Sequence, residues 1–247
     1  MKIETTCGAS DEARIARERM YMSATGRSLI VGVDRLDYSK GLVERFQAFE
    51  RLLLNAPGWH GRVSLVQIAP PTRADVQTYQ RIRQTLEGEA GRINGRFAQL
   101  DWTPIQYLNR KYERNLLMAL FRQSQVGYVT PLRDGMNLVA KEYVASQDPA
   151  DPGVLVLSQF AGAAEQLPGA LVVNPFDLSQ MAEALERALS MPLAERQARH
   201  ADMMAPMREN NLSVWRDTFL DDLRNIATAS SVTAKAVKLA DVTASSS

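Results

Sequence analysis

The sequence predicts an α/β fold, a Rossmann-like parallel sheet with helices on both faces. Three observations carry this. Short runs rich in Val, Ile and Leu recur along the chain, segments with helical spacing lie between them, and the charged motifs fall where an apolar run ends and a helix begins. Such alternation is the pattern of parallel strands joined by helical crossovers, and sheets of this kind bind ligands beyond the carboxyl ends of their strands.

The elements follow in order. Residues 1–27 read as a lead-in, with helical composition over Arg14 to Arg19 but no strong apolar stripe. Buried strands are predicted at Leu29 to Val33, Val63 to Ile68, Val126 to Thr130, Val154 to Leu157 and Leu171 to Val173. Helical spacing marks Val43 to Leu54, Val76 to Glu89, Arg110 to Arg122, Leu138 to Ser146 and Gln180 to Leu189. After Met191 the pattern is wholly helical: Pro192 opens a helix, Pro206 and Asn210 interrupt, and Trp215, Phe219 and Leu223 mark a final amphipathic stripe. Residues 28–226 therefore read as one domain with extra helices at its end. Residues 227–247 are small, polar and aperiodic, and read either as a disordered tail or as a helix docking through Val237 and Leu239.

Composition excludes several partners. The 29 Lys and Arg against 28 Asp and Glu leave a net charge of +1, which supplies no broad field for nucleic acid or anionic lipid, so any anion site is local. No apolar run approaches the roughly 20 residues of a membrane span, and no signal peptide is expected. Cys7 is the single cysteine, which excludes an internal disulfide and points to a reducing compartment, the cytoplasm. His60 and His200 lie far apart with no ligand spacing around them, so no metal site is predicted.

The first chemical motif is the segment Asp34, Arg35, Leu36, Asp37, Tyr38, Ser39, Lys40, Gly41, which follows a strand and opens a helix. Arg35 and Lys40 on one strand-end loop, beside a helix N-terminus, would neutralise the charge of a diphosphate leaving group without a metal. The alternative is a local Arg35–Asp37 ion pair with Lys40 as a solvated charge.

The second motif runs from Thr130 to Glu142 and is again strand, glycine turn and helix start. Backbone N–H groups of Asn137, Leu138 and Val139 would be the orphan donors of a first helical turn, suited to phosphate oxygens. Glu142, about one turn further in, would accept from ribose hydroxyls, and Asp134 from sugar hydroxyls. The alternative is that Asp134 caps the helix and Glu142 faces solvent. No G-x-G-x-x-G follows the first strand, which argues against a dinucleotide oxidoreductase.

The strings DRLDYSKG, QIAPPTR, EAGRINGRF and TPLRDGMNLVAKEY, with GVLVLSQFAGAA after them, resemble the donor domain of the trehalose-phosphate synthase family, from about Ser28 to Ile226. The resemblance implies the C-terminal half of a two-domain GT-B glycosyltransferase. Its implied reaction is retaining transfer of glucose from UDP-glucose to glucose 6-phosphate, giving trehalose 6-phosphate without a cofactor. By position, Arg35 and Lys40 match the family's diphosphate pair, Leu138 and Val139 its backbone phosphate contacts, Glu142 its ribose ligand and Asp134 its contact to the transferred glucose. Arg73 matches a residue reaching toward the acceptor's phosphate. Ile68 and Tyr112 occupy positions around the uracil ring, although Ile68 also reads as plain strand core.

The resemblance also implies an amino-terminal acceptor domain, and Met1 to Arg27 is too short to supply one. The expectation is a donor half that binds UDP or UDP-glucose and is inactive in transfer alone, because the acceptor oxygen is not held beside the breaking bond. No carboxylate is placed unambiguously for a covalent intermediate, and the resemblance favours a front-face route to retention. The alternative is a non-catalytic module that keeps the fold for partner association through its last helix. The choice between UDP-glucose and ADP-glucose stays open.

Overall fold

A computed structural model describes residues 26–71, 77–209, 214 and 216–224, apart from the Thr78 side chain. The expected lead-in helix at Arg14 to Arg19, Arg73, Trp215 and the tail 227–247 lie outside the described residues. Of the described residues, those up to Pro206 belong to one compact unit and those from Met207 onward to a second.

The first unit carries a six-stranded parallel sheet: β1 (Ser28–Val33), β2 (Val63–Ile68), β3 (Ile105–Leu108), β4 (Val126–Val129), β5 (Val154–Ser158) and β6 (Leu171–Val173). The spatial order is β3-β2-β1-β4-β5-β6. The chain steps outward from β1 to β3, then returns to the other side of β1 and steps outward again. That reversal opens a crevice between the carboxyl ends of β1 and β4, where doubly wound sheets hold ligands.

Among the described residues the α-helices are α1 (Leu42–Asn55), α2 (Gln77–Phe97), α3 (Arg114–Gln123), α4 (Leu138–Ser146), α5 (Leu178–Ser190) and α6 (Leu193–Glu209), with residues 216–224 also helical. One face packs α1, α2 and α5 over Ile30, Leu65, Val126, Tyr128, Val154 and Val156. Phe46 and Phe49 of α1 are fully buried there, each contributing about 2–3 kcal/mol by removing its ring from water. Alternation along β4 turns Gly127 to the opposite face, where Tyr143 of α4 lies so close that an added Cβ would come within 2.6 Å of its ring. Helix α4 pairs with α3 on that side.

The sequence expectation misses β3. Its four residues form the sheet's outer edge, and only Ile105 is buried, so neither an apolar run nor full alternation marks it. Helix α2 runs on to Phe97 despite Gly88, Gly91 and Gly95 inside it, because Leu86, Ala90 and Ile93 bury one of its faces in the core. Helix α3 starts at Arg114 rather than Arg110, since Glu113 is extended at its N-cap. Pro206 does not interrupt: α6 continues through it to Glu209, forfeiting one N–H bond within the last turn. In the second unit, residues 216–224 are helical, with Phe219 and Leu223 about half exposed.

Candidate nucleotide-sugar site at the strand ends

Beyond β1 the chain turns through a short 3-10 segment, Tyr38–Lys40, capped by Asp37, whose Oδ1 accepts from the Ser39 N–H and Oγ, each at 2.9 Å. Asp37 is thus engaged with Ser39 and not with Arg35. Arg35 is exposed, and among the described residues it takes no hydrogen bond or ion pair. Gly41 then adopts φ 63°, and its α-carbon lies so close to β4's exit that an added Cβ would meet the Thr130 carbonyl oxygen at 2.6 Å. A left-handed residue with no room for a side chain must be glycine.

Beyond β4 the segment Pro131–Asn137 runs alongside this loop. Leu132 donates its N–H to the Ser39 carbonyl at 2.8 Å, and Lys40 Nζ lies 2.6 Å from Asp134 Oδ2. That ion pair is largely shielded, its side chains 13% and 18% exposed. Asp134 also accepts from Asn137 Nδ2 at 3.1 Å and from the Met136 N–H at 3.3 Å, and its own N–H donates to the Phe160 carbonyl. Burial pushes the Asp134 carboxyl up, but Lys40 and these donors outweigh it and hold it below the ordinary carboxylate value. Of the alternatives from the sequence, Lys40 is not a solvated charge and Asp134 is not the helix cap, whereas Glu142 does keep partial contact with solvent.

The cap is Asn137, at φ 71°, whose Oδ1 accepts from the Ala140 N–H at 3.0 Å. The N–H groups of Asn137, Leu138 and Val139 take no acceptor among the described residues, and Leu138 is exposed. Three orphan donors at a helix N-terminus, beside Lys40, form an anion-ready corner. One turn on, Glu142 accepts from Arg114 of α3 at 3.1 Å, an ion pair two-thirds exposed on the arginine side. Tyr112 lies in the loop before α3, its hydroxyl accepting from Arg110 Nε at 2.6 Å with the guanidinium 4.8 Å from the ring centroid. Ile68 is buried at the end of β2, where its carbonyl accepts from the Asp34 N–H.

Sequence reasoning missed the layer beneath these loops. Arg45 of α1 is 0% exposed, and its guanidinium donates to Asp34 Oδ2 and Gln67 Oε1 at 2.8 Å each and to Thr130 Oγ1 at 3.3 Å. Burial pushes the Asp34 carboxyl up, while Arg45 pulls the other way. The available signal was an arginine within α1's apolar stripe of Leu42, Phe46 and Phe49.

A cavity of about 480 Å³ lies at the opposite, amino ends of the strands, around Arg27, Arg122, Gln125 and Arg196. Its arginines are already paired, with Asp101, Asp148 and Asp151. The N–H donors and the Arg35 guanidinium that take no partner among the described residues are at the carboxyl ends, where this topology binds ligands. Among the described residues no three His, Cys, Asp or Glu side chains group as metal ligands, and no helix is long and apolar enough to cross a membrane.

The model of glycosyltransferase family 20 matches residues 8–225. A trehalose-6-phosphate synthase of Enterobacter sp. (strain 638) is 64% identical over 195 residues, 79% of this chain and 41% of that protein. The crystal structure of a UDP-forming α,α-trehalose-phosphate synthase from Burkholderia xenovorans superposes with a TM-score of 0.82 at 88% identity, covering 88% of this chain and 50% of that one. A second such synthase from Burkholderia xenovorans, in complex with glucose-6-phosphate, gives 0.83 at 65% identity over 86% of this chain and 48% of that one. The chain thus spans half or less of the length of these relatives.

Proposed function

The chain belongs to glycosyltransferase family 20, and from that membership we propose that residues 28–226 are the nucleotide-sugar half of a retaining glucosyltransferase moving glucose from UDP-glucose to glucose 6-phosphate to give trehalose 6-phosphate. The observation that carries this is the shielded Lys40–Asp134 contact, which joins two strand-end loops beside the N–H groups of Leu138 and Val139, unpaired among the described residues.

Each residue then has a role. Lys40 has two ammonium donors left after Asp134 takes one, and with Arg35 it would neutralise the diphosphate. The N–H groups of Asn137, Leu138 and Val139 would hold its oxygens. Asp134, kept ionised by its partners, would accept from hydroxyls of the transferred glucose. Glu142 would accept from the ribose, exchanging or sharing its exposed Arg114 partner, which at such exposure costs little to displace. Tyr112 and Ile68 would border the uracil, and Arg73 would meet the acceptor's phosphate.

In the reaction the anomeric C1–O bond to the diphosphate breaks and a C1–O bond to the acceptor hydroxyl forms on the same face. The acceptor's proton passes to the departing diphosphate oxygen. These steps use charge stabilisation and proximity, which Arg35, Lys40 and the α4 N-terminus supply on the donor side. Glucose 6-phosphate, the partner on the other side, is the ligand of a relative that shares this fold. The single cysteine supports a reducing cytoplasmic home.

Calorimetry of the 247-residue chain with UDP tests the binding claim, and no heat at millimolar UDP would sink it. A transfer assay with UDP-glucose and glucose 6-phosphate, with and without an added acceptor domain, tests the division of labour. Product is expected only with that domain added. The half-exposed Phe219, Leu220 and Leu223 favour a second role for residues 216–224, association with a partner through that helix.

A further inference from the structure

Arg45 stands where a leucine would be expected. On α1 it shares the buried stripe with Leu42, Phe46, Phe49 and Leu52, and it is as fully enclosed as they are. A buried ion pair is a poor source of stability, because desolvating two charges offsets their attraction and apolar replacements often do as well. What Arg45 offers that leucine lacks is a planar fork with several fixed donors.

That fork reaches four pieces of chain. Nη1 donates to Asp34 at the exit of β1 and to Gln67 at the end of β2, Nε donates to Thr130 at the exit of β4, and Nη2 lies 3.5 Å from the Lys40 carbonyl oxygen. The Tyr128 ring lies beneath, 5.5 Å from the guanidinium carbon. Room for this is built into the strand: a Cβ at Gly32 would stand 2.4 Å from Gln67 Oε1 and 2.6 Å from Arg45 Nη1. The same Thr130 whose hydroxyl accepts from Arg45 has its carbonyl against Gly41, the residue after Lys40. Arg45 thus touches both sides of the crevice and the backbone of the residue whose ammonium spans it.

We propose that Arg45 is a positioning residue, holding the Lys40–Gly41 turn against Thr130 so that Lys40 is aimed at the donor's diphosphate. It touches no ligand itself. The inference rests on the donor-binding reading of Lys40.

The test compares Arg45→Lys, which keeps the charge and loses the fork, with Leu52→Ala, a core truncation on the same helix that leaves the loops alone. Thermal unfolding and UDP calorimetry are measured for both, and crystal structures without ligand for wild type and Arg45→Lys. Arg45→Lys is expected to weaken UDP binding about tenfold, as loss of charge-assisted hydrogen bonds that fix a ligand group would. Leu52→Ala, though comparably destabilised, should bind within about twofold of wild type, since distant sites act independently. In the Arg45→Lys crystal, Lys40 Nζ should leave hydrogen-bond distance of Asp134.

Equal UDP affinity in Arg45→Lys and wild type, or equal losses in Arg45→Lys and Leu52→Ala, would overturn the proposal. Should Arg45→Lys fail to fold, Thr130→Val removes the Nε partner alone and is expected to cost about threefold in UDP affinity; no loss there would overturn the proposal equally. If wild type binds no UDP, the donor-binding reading fails, and the position of Lys40 in the crystals alone decides whether Arg45 sets its turn.

Discussion

Lys40 Nζ and Asp134 Oδ2, 94 residues apart in the chain, meet at 2.6 Å across the crevice between β1 and β4. Two groups expected to serve different parts of one donor, its diphosphate and its sugar, are therefore each other's partners beforehand. Their substitutions should have separable effects.

Lys40→Ala removes the cation and should weaken UDP binding at least about tenfold, in line with charge-assisted phosphate contacts. Asp134→Asn keeps the shape and frees Lys40, so UDP affinity should hold or rise, while the extra affinity of UDP-glucose over UDP should vanish. Calorimetry with both ligands reads the difference. A parallel loss of UDP affinity in both variants would remove the division of roles.

The pH dependence of the same contact has a definite sign. The Asp134 carboxyl is held below its ordinary value because Lys40 and neighbouring donors outweigh its burial. A depressed folded value means stability that is present above the unfolded value near 3.9 and lost as pH falls through the folded one. Wild type should exceed Asp134→Asn by about 1 kcal/mol from pH 5 to 8, desolvation of the shielded pair offsetting much of its attraction, and the gap should close below about pH 4. Unfolding midpoints across that range check it.

Two glycines should respond in opposite directions to alanine. Gly41→Ala forces a side chain into a left-handed conformation and against the Thr130 carbonyl, and should cost about 2 kcal/mol or more. Gly88→Ala, inside α2 with nothing within 4 Å, should stabilise by about 0.5–1 kcal/mol through helix propensity. Urea midpoints decide both.

Glu142→Ala should weaken UDP binding about tenfold if the carboxylate holds the ribose. Arg114→Ala, which only frees that carboxylate, should change stability by less than about 0.5 kcal/mol, since the ion pair is mostly exposed. A larger affinity loss from Arg114→Ala than from Glu142→Ala would reassign the contact.

What the sequence discloses follows from how local the physics is. Strand β2 is buried at every residue, so its apolar run is visible, and α4 begins where Asn137 ends the glycine turn. The two charged loops are visible as strand exits. Strand β3 is not, because an edge strand needs burial on fewer positions than a pattern requires. Nor is the Arg45 cluster, since its partners Asp34, Gln67 and Thr130 are gathered by the sheet and not by spacing, and a lone arginine in a helix reads as solvent-facing. The Lys40–Asp134 contact is invisible for the same reason.

The winding of the sheet also sets when the site comes into being. Since β1 lies at the centre and its second neighbour β4 is made only after β2 and β3 with their crossovers, the Lys40 loop is synthesised well before its partner and waits for a residue nearly a hundred positions behind it. Closing so long a loop is entropically slow, and contacts of that separation form late. Ligand capture would then act as a clock on maturation: a nascent or refolding chain should regain its helices well before it regains any affinity for a nucleotide.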